Sequence, residues 1–156
     1  MAHFAHLDAN NIVKKVSVVS NDIETSNGPL GDNDMHVDGE TWCANFHGNQ
    51  PWTTRENVVA WKQTSYNNNF RKQYAAVGGT YDSVRDEFVH PANADRPSWV
   101  LNSTNDWEAP IANQPPTDGP GAIWEEDNQR YIAWRSEEQV TPDIWNPTTS
   151  EWELGE

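Results

Sequence analysis

The sequence predicts a mainly β fold, made of antiparallel hairpins with one short helix and irregular Pro-rich connectors. Three observations carry that expectation: a β-branched segment near the start, aromatic residues that return in pairs seven or eight positions apart, and clusters of Asn, Asp, Gly and Pro between them. Leu, Ile, Val and Phe together supply only 26 of the 156 residues. At about 17 %, and with a formal charge of −14, that content alone is typical of a disordered chain. Nine Trp and four Tyr reverse the conclusion, because each ring brings roughly 150–250 Å² of surface to bury. The chain is therefore expected to be ordered but aliphatic-poor, held by aromatic clusters.

Phe4-Ala5-His6-Leu7 leads into Asp8-Ala9-Asn10-Asn11, whose short polar side chains suit a tight turn. Ile12 to Val19 then returns as a β-branched, partly alternating strand, which makes the first hairpin. Asn21 to Asp38, with Gly28, Pro29 and Gly31 among Asn and Asp, reads as a loop. Asp38 is placed to cap a short helix over Gly39 to His47, with Trp42, Cys43 and Phe46 on one face and Gly48 at its stop. So short a helix needs packing to exist. Val58 to Tyr66 alternates as a strand, which Asn67-Asn68-Asn69 breaks. Phe70 to Ala76 fits a strand or a helical turn, and Gly78-Gly79 separates it from the segment that begins at Tyr81.

From Tyr81 onward the chain repeats itself loosely. Tyr81 is followed by Phe88, Trp124 by Tyr131 and Trp145 by Trp152, each seven residues later; Trp99 is followed by Trp107, eight later. Residues seven apart sit opposite one another around a two- or four-residue hairpin loop, whereas eight demands an odd loop. Four aromatic-clasped hairpins are expected, joined by connectors over residues 90–97, 110–120 and 140–142. The amino-terminal hairpin, the Trp61 strand and the Tyr81 hairpin are expected to share a sheet, with Phe4, Val16 and Val18 facing the core. Charge divides unevenly: residues 99–156 carry twelve acids against Arg130 and Arg135. This places a boundary near Pro97, between a β-rich amino-terminal domain (1–97) and an acidic Trp-rich hairpin region (98–156) that serves as a docking arm. Trp124, Trp134, Trp145, Trp152 and Trp107 are its candidate interface residues, Trp being enriched in interface cores.

The charge argues against sequence-independent binding to nucleic acid, which needs Lys and Arg to displace counterions, and against anionic membrane surfaces. No apolar run approaches a membrane span, and Met1-Ala2-His3-Phe4 lacks the basic and apolar segments of a signal peptide, so synthesis in a cytoplasm is expected. Cys43 is the only cysteine and can form no internal disulfide. Cys43 and His47 have the spacing of two metal ligands on a helix, but no second pair completes them. The acid-rich stretch from Asp32 to Glu40 fails the EF-hand register, with Asn45 where Glu belongs. No nucleophile elbow, phosphate loop, dinucleotide glycine motif or zincin helix is present. A non-enzymatic protein without cofactor or metal is expected.

Several strings together carry a family resemblance: Met1-Ala2-His3-Phe4-Ala5 through Leu7-Asp8-Ala9-Asn10-Asn11-Ile12-Val13; Trp61-Lys62-Gln63-Thr64-Ser65-Tyr66-Asn67; Phe70-Arg71-Lys72-Gln73-Tyr74-Ala75; Thr80-Tyr81-Asp82 with Arg85-Asp86 and Phe88; and Pro97-Ser98-Trp99-Val100-Leu101 with Trp107-Glu108-Ala109-Pro110. In this succession the chain resembles short virion structural proteins of marine tailed phages, cyanophages in particular. It departs from them after Trp107, where two further aromatic hairpins occur instead of one. The resemblance implies an accessory, non-enzymatic component on the exterior of the particle, in contact with capsid or tail proteins and carrying no catalytic residues. Capsid decoration is the favoured form of that role; a tail-fibre-associated component and a carbohydrate-binding adhesin for host polysaccharide are the alternatives.

Overall fold

The opening segment folds back on itself. β1 (Ala2–Asp8) pairs antiparallel with β2 (Val13–Val19). In the turn, the Asp8 carboxylate accepts hydrogen bonds from the backbone N–H groups of Asn10 (2.9 Å) and Ile12 (3.0 Å), and Asn11 takes the left-handed conformation (φ 60°) that Asn tolerates. The computed structural model describes residues 1–30 and 37–156. The chain divides into two compact units, Met1–Pro91 and Ala92–Glu156. The division falls ahead of Pro97 because the residues just after Ala92 pack with the second unit: the Arg96 guanidinium lies 4.4 Å from the Trp99 ring centroid.

In the first unit, Glu24–Thr25 (β3) and Gly28–Pro29 (β4) form a minimal hairpin inside the stretch expected to be a loop. The rest of that stretch, residues 31–36, lies outside the described residues, and with it most of the acid-rich run from Asp32. Helix α1 (Val37–His47) begins before Asp38, so Asp38 is not its cap; it sits in the first turn, where its carboxylate accepts from the Asn27 side chain. Cys43 points into the core, whereas Phe46 is exposed and stacks flat on Trp42, at 4.8 Å and 9°. Phe46 therefore does not share the buried face. A second helix, α2 (Pro51–Glu56), comes next, with Pro in its first turn and Asn57 at φ 56° closing its end.

Strand β5 (Val58–Thr64) pairs antiparallel with β1, giving the sheet order β2-β1-β5. β1 is thus central and buried on both faces. Ala2, Phe4, Val19, Leu30, Cys43, Val58 and Trp61 pack on the side covered by α1. A methyl group on Gly39 would sit 2.6 Å from both Leu30 and Phe4, so only glycine lets the helix come this close. Ala5, Leu7, Val13, Ala75, Tyr81 and Phe88 form the opposite cluster.

β6 (Thr80–Asp82) and β7 (Glu87–Val89) place Tyr81 opposite Phe88, as the spacing predicts. Contrary to expectation this hairpin does not join the sheet. It is a separate ribbon, tied to the first hairpin by the Ile12–Thr80 bridge, and its two rings cover the Ala5 and Leu7 face. The expected core face is also divided. Register pairs Phe4 with Ser17, which sends Val16 and Val18 to the other side, where Val16 packs against the second cluster and Val18 stays 54 % exposed at the sheet edge.

Phe70 to Ala76 is neither strand nor helix. Arg71 and Lys72 are both left-handed (φ 53° and 67°), held there by the buried Arg71 side chain. Its guanidinium donates to Glu40 of α1 (2.8 Å), to the Gln63 carbonyl of β5 (2.7 Å) and to Asp86 of the Tyr81 hairpin (2.8 Å). One cation thus joins three elements that no sheet ladder connects.

The second unit is a set of hairpins. β8 (Val100–Leu101) pairs with β9 (Trp107–Glu108), and β10 (Ile123–Glu125), β11 (Arg130–Ala133), β12 (Asp143–Asn146) and β13 (Glu151–Glu153) form a four-stranded meander. Trp124 faces Tyr131 and Trp145 faces Trp152, as expected. Trp99 does not face Trp107. The odd loop over residues 102–106 pairs Leu101 with Trp107 instead, and Trp99 packs edge-on against Trp124 at 6.2 Å.

Candidate functional site

The two faces of the β10–β13 sheet are set by register, because directly opposed residues share a side and neighbours along a strand alternate. One face carries Trp124, Tyr131, Ala133, Asp143, Trp145 and Trp152. The other carries a row of three isoleucines, Ile123 opposite Ile132 and Ile132 opposite Ile144. Glu125 opposite Arg130, Asn146 opposite Glu151, and Glu153 surround that row with polar groups.

Burial separates the faces. Trp124 and Trp145 are 9 % and 5 % exposed, so two of the expected interface residues belong to the interior of the unit and offer a partner no surface. Trp152 packs edge-on against Trp145 at 5.4 Å and is half-buried on the same side. Trp107 is half-buried on β9. Trp134, the first residue past β11, is 48 % exposed, and on the isoleucine side Ile123 is 55 % exposed while Ile132 and Ile144 are half-buried. The aromatic spacing does not point to the isoleucines, because they alternate along the strands with the paired rings.

Partly buried hydrogen bonds hold the aromatic side rigid. Trp124 donates its indole N–H to the Glu126 carboxylate (2.6 Å), which also accepts from the backbone N–H (2.8 Å) and hydroxyl (2.9 Å) of Ser98. Burial alone would raise the Glu126 carboxyl, but these donors hold it below the usual carboxylate range. Trp145 donates to the Asn113 carbonyl (2.6 Å). Buried Asp143 accepts from Arg135, the Gln139 side chain (2.7 Å) and the Gly155 N–H (2.9 Å), and its carboxyl is lowered chiefly by Arg135. These contacts fix the last hairpin, so the isoleucine row rides on a stiff support.

A groove of about 460 Å³ opens on the Tyr131 side, walled by Trp99, Trp107 and Tyr131 and by Pro115, Pro116 and Pro120. In the first unit, Tyr66 is exposed and stacks on His3 at 5.6 Å, with Tyr74 edge-on. Burial pushes the Cys43 thiol up to about 12, and the His47 ring packs among His6, Phe46 and Trp52. Among the described residues, no group of three or more His, Cys, Asp or Glu side chains is arranged to hold a metal ion, and no helix is long and apolar enough to cross a membrane. Compared with known protein families, curated proteins and solved structures, the chain finds no match in any of the three.

Proposed function

We propose that this chain is a non-enzymatic accessory structural protein on the exterior of a tailed phage particle, and that it decorates the capsid. The observation that carries the reading is the row Ile123, Ile132 and Ile144 on an otherwise polar sheet face, with Trp134 exposed just beyond β11. An apolar centre rimmed by charge is the composition of a docking patch. The sequence resemblance to marine phage structural proteins supplies the class of partner, another virion protein. The second unit carries thirteen acids against three arginines, and this excess keeps its free surface in water and repels neighbouring particles.

Immunogold labelling of intact particles tests the reading. Label spread over the head is expected; label confined to the tail would replace decoration with a fibre-associated role, and absence of the chain from purified particles by mass spectrometry would sink both. Ile132→Asp, which places a charge at the centre of the row, should abolish attachment while leaving the aromatic side folded.

A further inference from the structure

We propose that the groove on the Tyr131 side binds a neutral oligosaccharide of about two sugar rings. This goes beyond particle docking and does not depend on it, since the isoleucine row and Tyr131 lie on opposite faces of the sheet. The groove is preformed. Trp124 stands between two of its walls, edge-on to Trp99 at 6.2 Å and to Tyr131 at 5.0 Å, and is itself pinned to Glu126. Arg96 fixes Trp99 from a further side, and β9 holds Trp107 in register with Leu101. Rigid rings lose little freedom when a ligand arrives, the condition under which a small open site binds measurably.

The lining names the ligand class. Three aromatic rings and three prolines offer flat apolar surface, which suits the C–H faces of pyranose rings. Gln114 and Glu108 offer acceptors between them, beside the hydroxyl-bearing Thr117 and Tyr131. Gln114 already donates its amide hydrogens to the carbonyls of Ala109 (3.3 Å) and Ile111 (2.9 Å), leaving its oxygen to accept; Glu108 accepts a single bond from Asn102 and keeps acceptor capacity. Sugar hydroxyls supply the donors such a rim needs. The thirteen acids and three arginines of the unit oppose uronic acids, sulfated sugars and phosphates, so the saccharide is neutral. A quaternary ammonium, the other usual occupant of aromatic sites, would leave most of 460 Å³ and the proline wall uncovered.

The test is a titration of the full chain, labelled with ¹⁵N, following its indole N–H signals. Cellobiose, maltose and lactose are the neutral probes, a glucuronic acid disaccharide the anionic control and a decaproline peptide the competing occupant. A saturable shift of the Trp99 and Trp107 signals with at least one neutral disaccharide is expected, with the Trp134 signal unmoved. Trp107→Ala should weaken that binding at least about tenfold, and an unchanged Trp124 signal certifies that the unit remains folded. Should that variant unfold, Trp107→Phe, which shrinks the ring but keeps the strand, should still weaken binding several-fold. The proposal is overturned if no neutral disaccharide gives a saturable shift, if the proline peptide saturates the groove instead, or if a folded Trp107 variant binds as well as the parent.

Discussion

Mild acid should destabilise the first unit through one histidine. His6 is fully buried on β1, its Nδ1 accepts from the Trp61 indole N–H (3.1 Å), and its ring lies 5.1 Å from that of His47 and 4.9 Å from that of Trp52. Its Nε2, which must then carry the proton, has no partner. Burial, reinforced by His47 and by Lys15, drives its pKa from 6.5 down to about 3. The folded form therefore refuses a proton that the unfolded chain accepts anywhere between those values. Stability contributed by the neutral ring is complete above about pH 6.5 and is lost as pH falls towards 3. At 1.36 kcal/mol per pH unit, the loss reaches roughly 2 kcal/mol by pH 5 and on the order of 5 kcal/mol at the low end. Urea unfolding at pH 7, 6 and 5, followed by the Trp61 indole signal, measures it. Ordinary carboxylates titrate at about pH 4, below the range of this measurement, and His47, also lowered by burial, adds to the slope in the same direction. His6→Gln keeps an acceptor for Trp61 and should flatten the dependence substantially. Equal stability at pH 7 and pH 5, or equal losses in parent and His6→Gln, would refute the reasoning.

Three further outcomes are expected. Arg71→Ala should cost about 3 kcal/mol in urea unfolding of the first unit, because it strips the half-buried Glu40 of its main counter-charge and frees the Tyr81 hairpin. Gly155→Ala should lower the stability of the second unit by about 1 kcal/mol and expose the amide at that position to rapid hydrogen exchange, since a methyl group there would sit 2.0 Å from the Thr141 carbonyl oxygen and break the bond to Asp143. A chain ending at Pro91 should keep the cooperative unfolding of the first unit and fail to label particles; labelling by that fragment would move the docking surface out of the isoleucine row.

What the sequence discloses and what it hides divide along a physical line. The pairs Tyr81–Phe88, Trp124–Tyr131 and Trp145–Trp152 are legible because each is local: seven positions and a four-residue loop leave one geometry. The eight-residue spacing is ambiguous, and Trp99 found its partner in Trp124, at a distance no hairpin rule reaches. The left-handed Arg71 and Lys72 contradict the habits of their side chains and make sense only once Glu40, Gln63 and Asp86 are assembled around the guanidinium. Which side of a sheet is buried is equally nonlocal. Pairing predicts that Trp124 and Tyr131 share a face, but only the packing of Trp99 and Glu126 makes that face the inner one, leaving Ile123, Ile132 and Ile144 outside. The second helix had a readable signal, Pro51 in its first turn, which the neighbouring Asn and Gly residues masked.

The hairpins of the second unit close in the same way. Tight loops end on a left-handed residue at Gln129 and Ser150, and Asn105, next to last in the five-residue loop, is left-handed as well. Each strand of the meander pairs with its successor in the chain, whereas in the first unit β5 must find β1 across the whole of α1 and α2. Closing short loops costs little chain entropy, and folding rates rise as contacts become more local. The meander can therefore assemble hairpin by hairpin, while the first unit waits for residues near Trp61 to return to the amino-terminal strand. Refolding of the full chain should accordingly show an early phase reported by Trp145 and a later one reported by Trp61, an order opposite to that in which the ribosome delivers the two units.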